Sequence, residues 1–293
     1  MKLLKQGDII GIISPSSAVD KNEAQSYIRG LEGLGFRVKT GKNLYKDTFQ
    51  YIAGTKERVE DFNDMVHDDE VKLVFFGGGH GSVDLLPYID YPGIRESPKL
   101  FLSYSDGTSL LNAIYAQTGI ITYYGQSPML YSNISKYDRA QFFSHLVDGD
   151  ADNYVSSSEW HTLTGGRCEG FLLGGYLLNF ALSVGNRFFP YPMDRDYVLF
   201  IEESEKYQSV KDVGMFLTCI EQNPLMEHVK GLLFGHFSEK PSPILFGILE
   251  RFGQKHQIPV AYCDDFGHGN CHAIFPVGRY ATLDTREKTL VFG

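Results

Sequence analysis

Residues 99–111 read KLFLSYSDGTSLL. Leu100 to Ser103 is a short apolar run, Ser105-Asp106-Gly107 breaks it, and Thr108 to Leu111 resumes as the start of a helix. The stretch therefore reads as a buried strand turning directly into a helix. A corner of that kind holds its middle side chain away from the backbone and aims the free amide hydrogens of a helix N-terminus at whatever that side chain meets. Ser105 is thus a candidate nucleophile. Ser103-Tyr104-Ser105-Asp106-Gly107 follows the G-x-S-x-G elbow pattern with Ser103 in place of the first glycine. A plain serine N-cap is the alternative reading of the same position.

The same rhythm runs through the preceding hundred residues. Ile9 to Ser14 is a continuous apolar run ending in Ser-Pro-Ser-Ser, as a buried parallel strand feeding a loop does, and Asp20 to Glu23 resembles a capping box opening a helix that ends near Gly35. Phe36 to Thr40 is strand-like. Thr55 to His67 is an amphipathic helix with Val59, Phe62 and Val66 on one face, and Val71 to Phe76 is another buried strand. The glycine-rich run Gly77 to Gly81 follows, then a short helical pattern from Ser82 to Leu86. After the Ser105 corner, Gly119 ends a helix ahead of a strand at Ile120 to Tyr124. This alternation predicts a parallel sheet with helices on both faces and a ligand beyond the carboxyl ends of its strands.

Residues 131–166 are polar and contain Ser156-Ser157-Ser158, so a linker is expected there, between an N-terminal domain at 1–130 and a C-terminal one at 167–293. The second domain reads as a helix around Gly175 to Val184, a strand Tyr197 to Ile201, a helix Ser209 to Ile220, a strand Gly231 to Phe234 and a helix Ile244 to Gln254. Strands near Pro259 to Tyr262, Tyr280 to Asp284 and Thr289 to Phe292 complete it.

Composition narrows the function. A net charge of −9 with no run of Lys or Arg repels polyanions, so nucleic acid is excluded as a partner. Gly7 and Asp8 interrupt the first apolar run and no small-residue cleavage site follows, which argues against a secretory signal. No stretch reaches the ~20 apolar residues of a membrane span, so no membrane partner is expected and a cytoplasmic location is. Cys168, Cys219, Cys263 and Cys271 lack C-x-x-C spacing and are expected as free buried thiols.

Three clusters carry candidate chemistry. The Gly77–Gly81 run follows a strand, so its backbone can approach a ligand closely and point amides at it, with Gly78 and His80 as expected substrate contacts. It lacks both nucleotide-loop spacings, which leaves an oxyanion hole or a tight turn. Glu202 and Glu203 stand where the strand Val198 to Ile201 ends, and one of them would orient a histidine in a triad. Asp264 to His272 is a glycine-rich loop holding His268 and His272. Four-residue histidine spacing ligates metal from a helical face, whereas this segment reads as a loop, so no metal is expected and His268 is the candidate base. The order Ser105, Glu202, His268 is that of the α/β-hydrolase solution.

On these residues the chain resembles the LD-carboxypeptidase family of serine peptidases, which also contains the microcin C7 self-immunity proteins. The likeness is carried by Gly78-Gly79-x-Gly81, Leu85 to Tyr91, Tyr104-Ser105-Asp106-x-Thr108, Gly170 to Leu177, Leu199 to Glu202, and Gly267-His268 leading into Pro276-Val277-Gly278. It implies an α/β fold with an N-terminal Rossmann-like parallel-sheet domain and a smaller C-terminal α/β domain with a barrel-like sheet. It further implies Ser105 as nucleophile, His268 as general base and then acid, Glu202 as the acid orienting His268, and the Gly79 and Asp106 amides as the oxyanion hole. A homodimer without cofactor, acting on a small peptide, is implied too. The implied substrate is a murein-derived tetrapeptide losing its terminal D-amino acid. An aminoacyl or peptidyl nucleotide cleaved at an amide bond is the alternative, and a non-catalytic peptide-binding protein is a third reading. Gly77 stands where many carboxypeptidase members have arginine, Ser103 replaces a glycine, Gln126 a proline, and Tyr176 an asparagine.

Overall fold

A run of five apolar residues without polar alternation needs cover on both faces, and Ile9–Ile13 (β1) is buried along its whole length. The computed structural model describes residues 3–240 and 242–293, and the chain divides into two compact units, 1–150 and 151–293. In the first unit β1 pairs in parallel with Arg37–Thr40 (β2) on one side and Val71–Phe76 (β3) on the other. Leu100–Ser103 (β4) and Thr122–Tyr124 (β5) continue the sheet in parallel, giving the order β5-β4-β3-β1-β2.

The connecting helices are Lys21–Gly33 (α1), Thr55–His67 (α2), Tyr91–Glu96 (α3) and Thr108–Thr118 (α4). Asp20 starts α1 by accepting the amides of Asn22 and Glu23 at 2.8 and 3.1 Å. The apolar stripe of α2 buries Phe62, Met65 and Val66, and Phe62 stacks on Phe101 of β4 with ring centroids 6.0 Å apart. The pattern at Ser82 to Leu86 forms a 3-10 turn over Ser82–Tyr88 rather than an α-helix, with Pro87 inside it. Because β2 lies on one side of β1 and β3, β4 and β5 on the other, the strand order reverses between β1 and β3. Their carboxyl ends open the crevice where such sheets take ligands.

The polar segment 131–166 carries structure of its own. Lys136–Phe143 (α5) is capped by the Ser135 hydroxyl, which accepts the Asp138 amide at 3.0 Å. Phe142 is buried against Tyr131 and Phe36. The division between the units falls inside this segment, after Asp150, and His161–Thr164 (β6) belongs to the second sheet.

In the second unit four parallel strands lie side by side: Arg167–Tyr176 (β7), Tyr197–Glu202 (β8), Val229–His236 (β9) and Val260–Gly267 (β10). Tyr280–Asp284 (β12) and Thr289–Phe292 (β13) extend one edge antiparallel and β6 the other, giving β13-β12-β7-β8-β9-β10-β6. The sheet curls into a half-barrel. Phe275–Val277 (β11) lies between β10 and β12 in sequence, and its Phe275 stacks on Phe200 of β8 at 4.6 Å. Leu177–Ser183 (α6), Val210–Glu221 (α7) and Pro243–His256 (α8) are the helices, and α7 packs on both others.

Two sequence-based expectations need correction here. Gly175 and Tyr176 belong to strand β7 and not to a helix around Gly175 to Val184, which begins only at Leu177. The two glycines allow the strand to lie against β8: a Cβ on Gly174 would stand 1.8 Å from the Phe200 carbonyl oxygen. Asp264 to Gly267 is likewise strand and not loop; the pairing with β9 breaks register after Tyr262 and resumes where Gly267 meets His236. Among the described residues no helix is long and apolar enough to cross a membrane.

Candidate active site

Ser105 sits two residues beyond the end of β4, and its backbone is left-handed, with φ 54°. A non-glycine residue there carries strain of about 1 kcal/mol or more, which the surroundings have to hold in place. They do so through four hydrogen bonds. The Ser105 amide donates to the Tyr124 hydroxyl at 3.2 Å and the Thr108 hydroxyl donates to the Ser105 carbonyl at 2.7 Å. The Gly107 amide reaches the Tyr104 carbonyl at 3.1 Å, and Ser103, where the elbow pattern has glycine, donates from its hydroxyl to the Phe76 carbonyl at 2.9 Å. The corner therefore fixes the direction of one hydroxyl at the N-terminus of α4, whose first residue follows the 3-10 turn Ser105–Gly107.

The glycine run after β3 is shaped around that serine. A Cβ on Gly78 would stand 2.7 Å from the Ser105 Cβ and 3.1 Å from its Oγ, so only glycine lets the backbone pass so close. Gly79 has φ +135°, and a Cβ there would meet Ser17 of the β1 loop, 2.3 Å from its Oγ and 2.7 Å from its amide nitrogen. Asp106 fastens the pieces together. Its buried carboxylate accepts the Ser16 hydroxyl at 2.5 Å and the Ser82 amide at 2.8 Å, while its carbonyl accepts the Ser82 hydroxyl at 2.6 Å. Arg58, 3% exposed, donates to the carbonyls of Pro15 and Gly81 at 2.7 and 2.8 Å. The loops after β1, β3 and β4 are thus tied to one another by charge-assisted bonds. His80 stands exposed on the glycine run, and a Cβ on Gly77 would find nothing nearer than 4.0 Å.

In the second unit Glu202, fully buried at the end of β8, meets His268, the first residue after β10. The His268 Nδ1 lies 2.9 Å from Glu202 Oε2. Two glycines make the path: a Cβ on Gly235 of β9 or on Gly267, which has φ +105°, would come within 2.9 Å of the Glu202 side chain. Burial works against charging His268, but the attraction and hydrogen bond of Glu202 outweigh it, so its pKa lies above the ordinary histidine value. With Nδ1–H donated to the carboxylate, Nε2 carries the lone pair of a base. The rings of Tyr176 and Tyr207 stand 5.0 and 5.2 Å from the His268 ring. Of the two carboxylates at this strand end, Glu202 is the one that holds the histidine.

Sequence reasoning named Ser105, Gly78, Gly79, His80 and Asp106, which the first unit gathers at the ends of β3 and β4, and Glu202 with His268, which the second unit joins. It missed the tethers Ser16, Ser82 and Arg58 and the ring neighbours Tyr176 and Tyr207. No local pattern marks a residue whose role is to bond a loop far away in sequence. His272 is not part of the Glu202–His268 pair, and among the described residues no three His, Cys, Asp or Glu side chains group as metal ligands. The thiols are free, but only Cys263 is buried; Cys219, expected inside, is exposed because it lies on the outer side of α7.

The domain profiles and relatives that this chain matches are those of a class of hydrolases, the peptidases. The profile of the LD-carboxypeptidase N-terminal domain matches residues 10–125, and that of the LD-carboxypeptidase C-terminal domain matches residues 169–283. The chain is 32% identical to the probable murein peptide carboxypeptidase of Bacillus subtilis, over 99% of this chain and 93% of that one. It is 27% identical to the microcin C7 self-immunity protein MccF of Escherichia coli, over 98% and 93%. Among solved structures, the MccF-like protein of Bacillus anthracis superposes with a TM-score of 0.88 at 28% identity, covering 99% of this chain and 97% of that one. MccF in complex with aspartyl sulfamoyl adenosine gives 0.86 at 25%, over 99% and 97%. The chain belongs to the LD-carboxypeptidase family.

Proposed function

We propose that the protein is a serine-type LD-carboxypeptidase that removes the terminal D-amino acid from murein-derived tetrapeptides. Ser105 gives its proton to His268 Nε2 and its Oγ attacks the amide carbonyl; the Gly79 and Asp106 amides hold the oxyanion. The C–N bond then breaks, His268 hands the proton to the departing amine, and water activated by the same ring releases the acyl group from Ser105. Glu202 keeps the ring in its tautomer and stabilises the imidazolium. The observation that supports this most is the left-handed Ser105 on a strand–helix corner, together with a histidine already paired to a buried carboxylate. The family likeness implies a homodimer.

A second reading keeps the chemistry and changes the substrate to an aminoacyl or peptidyl nucleotide. It is favoured by Gly77: without the arginine that many carboxypeptidase members have there, the position offers no guanidinium for a peptide carboxylate. Purified protein is to be given both substrates. Release of D-alanine from the tetrapeptide supports the first reading, and release of an amino acid from the nucleotide supports the second. Loss of both with Ser105→Ala, and of fluorophosphonate labelling, is expected; full function in Ser105→Ala leaves a peptide-binding protein instead.

A further inference from the structure

Among the described residues Glu203 is a carboxyl near His268 to which the reaction above gives no work, and its surroundings are unusual. It is fully buried. One oxygen accepts the Ser204 amide at 2.9 Å, while the other, Oε2, has no hydrogen-bond partner among the described residues. A buried carboxylate with an unpartnered oxygen is costly, and a proton removes that cost. The Tyr176 hydroxyl lies beside the Glu203 carboxyl, and the Tyr176 ring covers His268 at 5.0 Å. Glu203 thus reaches the base through the tyrosine.

We propose that Glu203 is a positioning residue that works as a neutral carboxylic acid: it anchors Tyr176 against His268 and, by carrying a proton, leaves Glu202 as the counter-charge of the ring. This rests on the triad reading of Ser105, His268 and Glu202. The groups that face Glu203 and His268 come from several elements: Tyr176 from β7, Glu202 from β8, Lys206 and Tyr207 from the segment after β8, and His268 after β10. Burial above all, and the neighbouring Glu202, raise Glu203 to about 7. When it ionises, a second negative charge forms near His268 and holds the imidazolium proton to higher pH, which delays the neutral base.

The test is the pH profile of kcat/KM in wild type, Glu203→Gln and Tyr176→Phe, with fluorophosphonate labelling of Ser105 in each. Glu203→Gln keeps the shape and removes the titration, so its acid limb is expected at lower pH and with the form of a single ionisation. Tyr176→Phe removes a bond that favours the ionised carboxyl, so it shifts the limb the same way by a smaller amount. Labelled variants whose profiles superimpose on wild type overturn the role of Glu203 and leave the triad standing. A wild type that is not labelled overturns the triad, and this inference with it.

Discussion

Gly79→Ala separates backbone space from everything else at the proposed nucleophile. The position has φ +135°, where a side chain costs about 1–3 kcal/mol. The new methyl would stand 2.3 Å from Ser17 Oγ and 2.7 Å from the Ser17 amide nitrogen. A hydroxyl can rotate away but a backbone nitrogen cannot, so the loop after β1 or the Gly79 peptide has to shift, at a further ~1–3 kcal/mol. If the Gly79 amide holds the oxyanion, its displacement removes ~3 kcal/mol of transition-state stabilisation, or ~100-fold in kcat. Gly33→Ala is the control: at the end of α1 a Cβ meets nothing within 4 Å, and alanine there should leave kcat unchanged and stabilise by about 0.5 kcal/mol. Urea midpoints and kcat for D-alanine release, measured on both variants, give the comparison. Gly79→Ala with wild-type kcat would refute the assignment of the oxyanion amide, whatever its stability.

Glu202→Gln removes the charge by which Glu202 raises His268 and leaves at most a neutral acceptor, so kcat should fall by about 100-fold or more and the acid limb of kcat/KM should move to lower pH; an unmoved limb would detach Glu202 from the base. Stability should decline as pH rises from 5 towards 8. Glu203 ionises near 4.5 when unfolded and at about 7 when folded, so the folded state binds the extra proton in that window, a difference of ~3 kcal/mol. His268, raised in the folded state, acts with the same sign. Urea unfolding across that range checks the slope, and Glu203→Gln should flatten it. Asp265→Ala strips the buried carboxylate that accepts the Ser157 amide and Ser156 hydroxyl at 2.8 Å, Tyr154 at 3.0 Å and Trp160 at 3.2 Å. A loss of ~3 kcal/mol is expected, read by urea midpoint, with a red shift in the emission of the single tryptophan.

Local pattern was enough for much of this chain. The continuous apolar run at Ile9 and the largely apolar run at Val71 announce buried strands, the cap at Asp20 and the glycine at 119 bound helices, and the Ser103 to Gly107 corner marks a candidate nucleophile before any contact is known. These features depend on neighbours in sequence: periodicity, capping and turn chemistry act over a few residues. The same local reading failed at Gly175-Tyr176, where a strand former lies beside glycines whose value appears only against the Phe200 backbone of the next strand.

What the chain alone determined is a parallel α/β frame and the residue types of its candidate chemistry: a serine at a strand–helix break, paired glutamates at a strand end, and a histidine after a glycine. The tertiary structure decided which of them work together. Glu202 rather than Glu203 meets His268 because strand order lays β8, β9 and β10 side by side and Gly235 and Gly267 clear the space between. Asp106 reaches Ser16 and Ser82 because β1, β3 and β4 end at the same edge of one sheet. Such partners are set by register and strand order, which join residues tens of positions apart and leave no trace in the spacing of either segment.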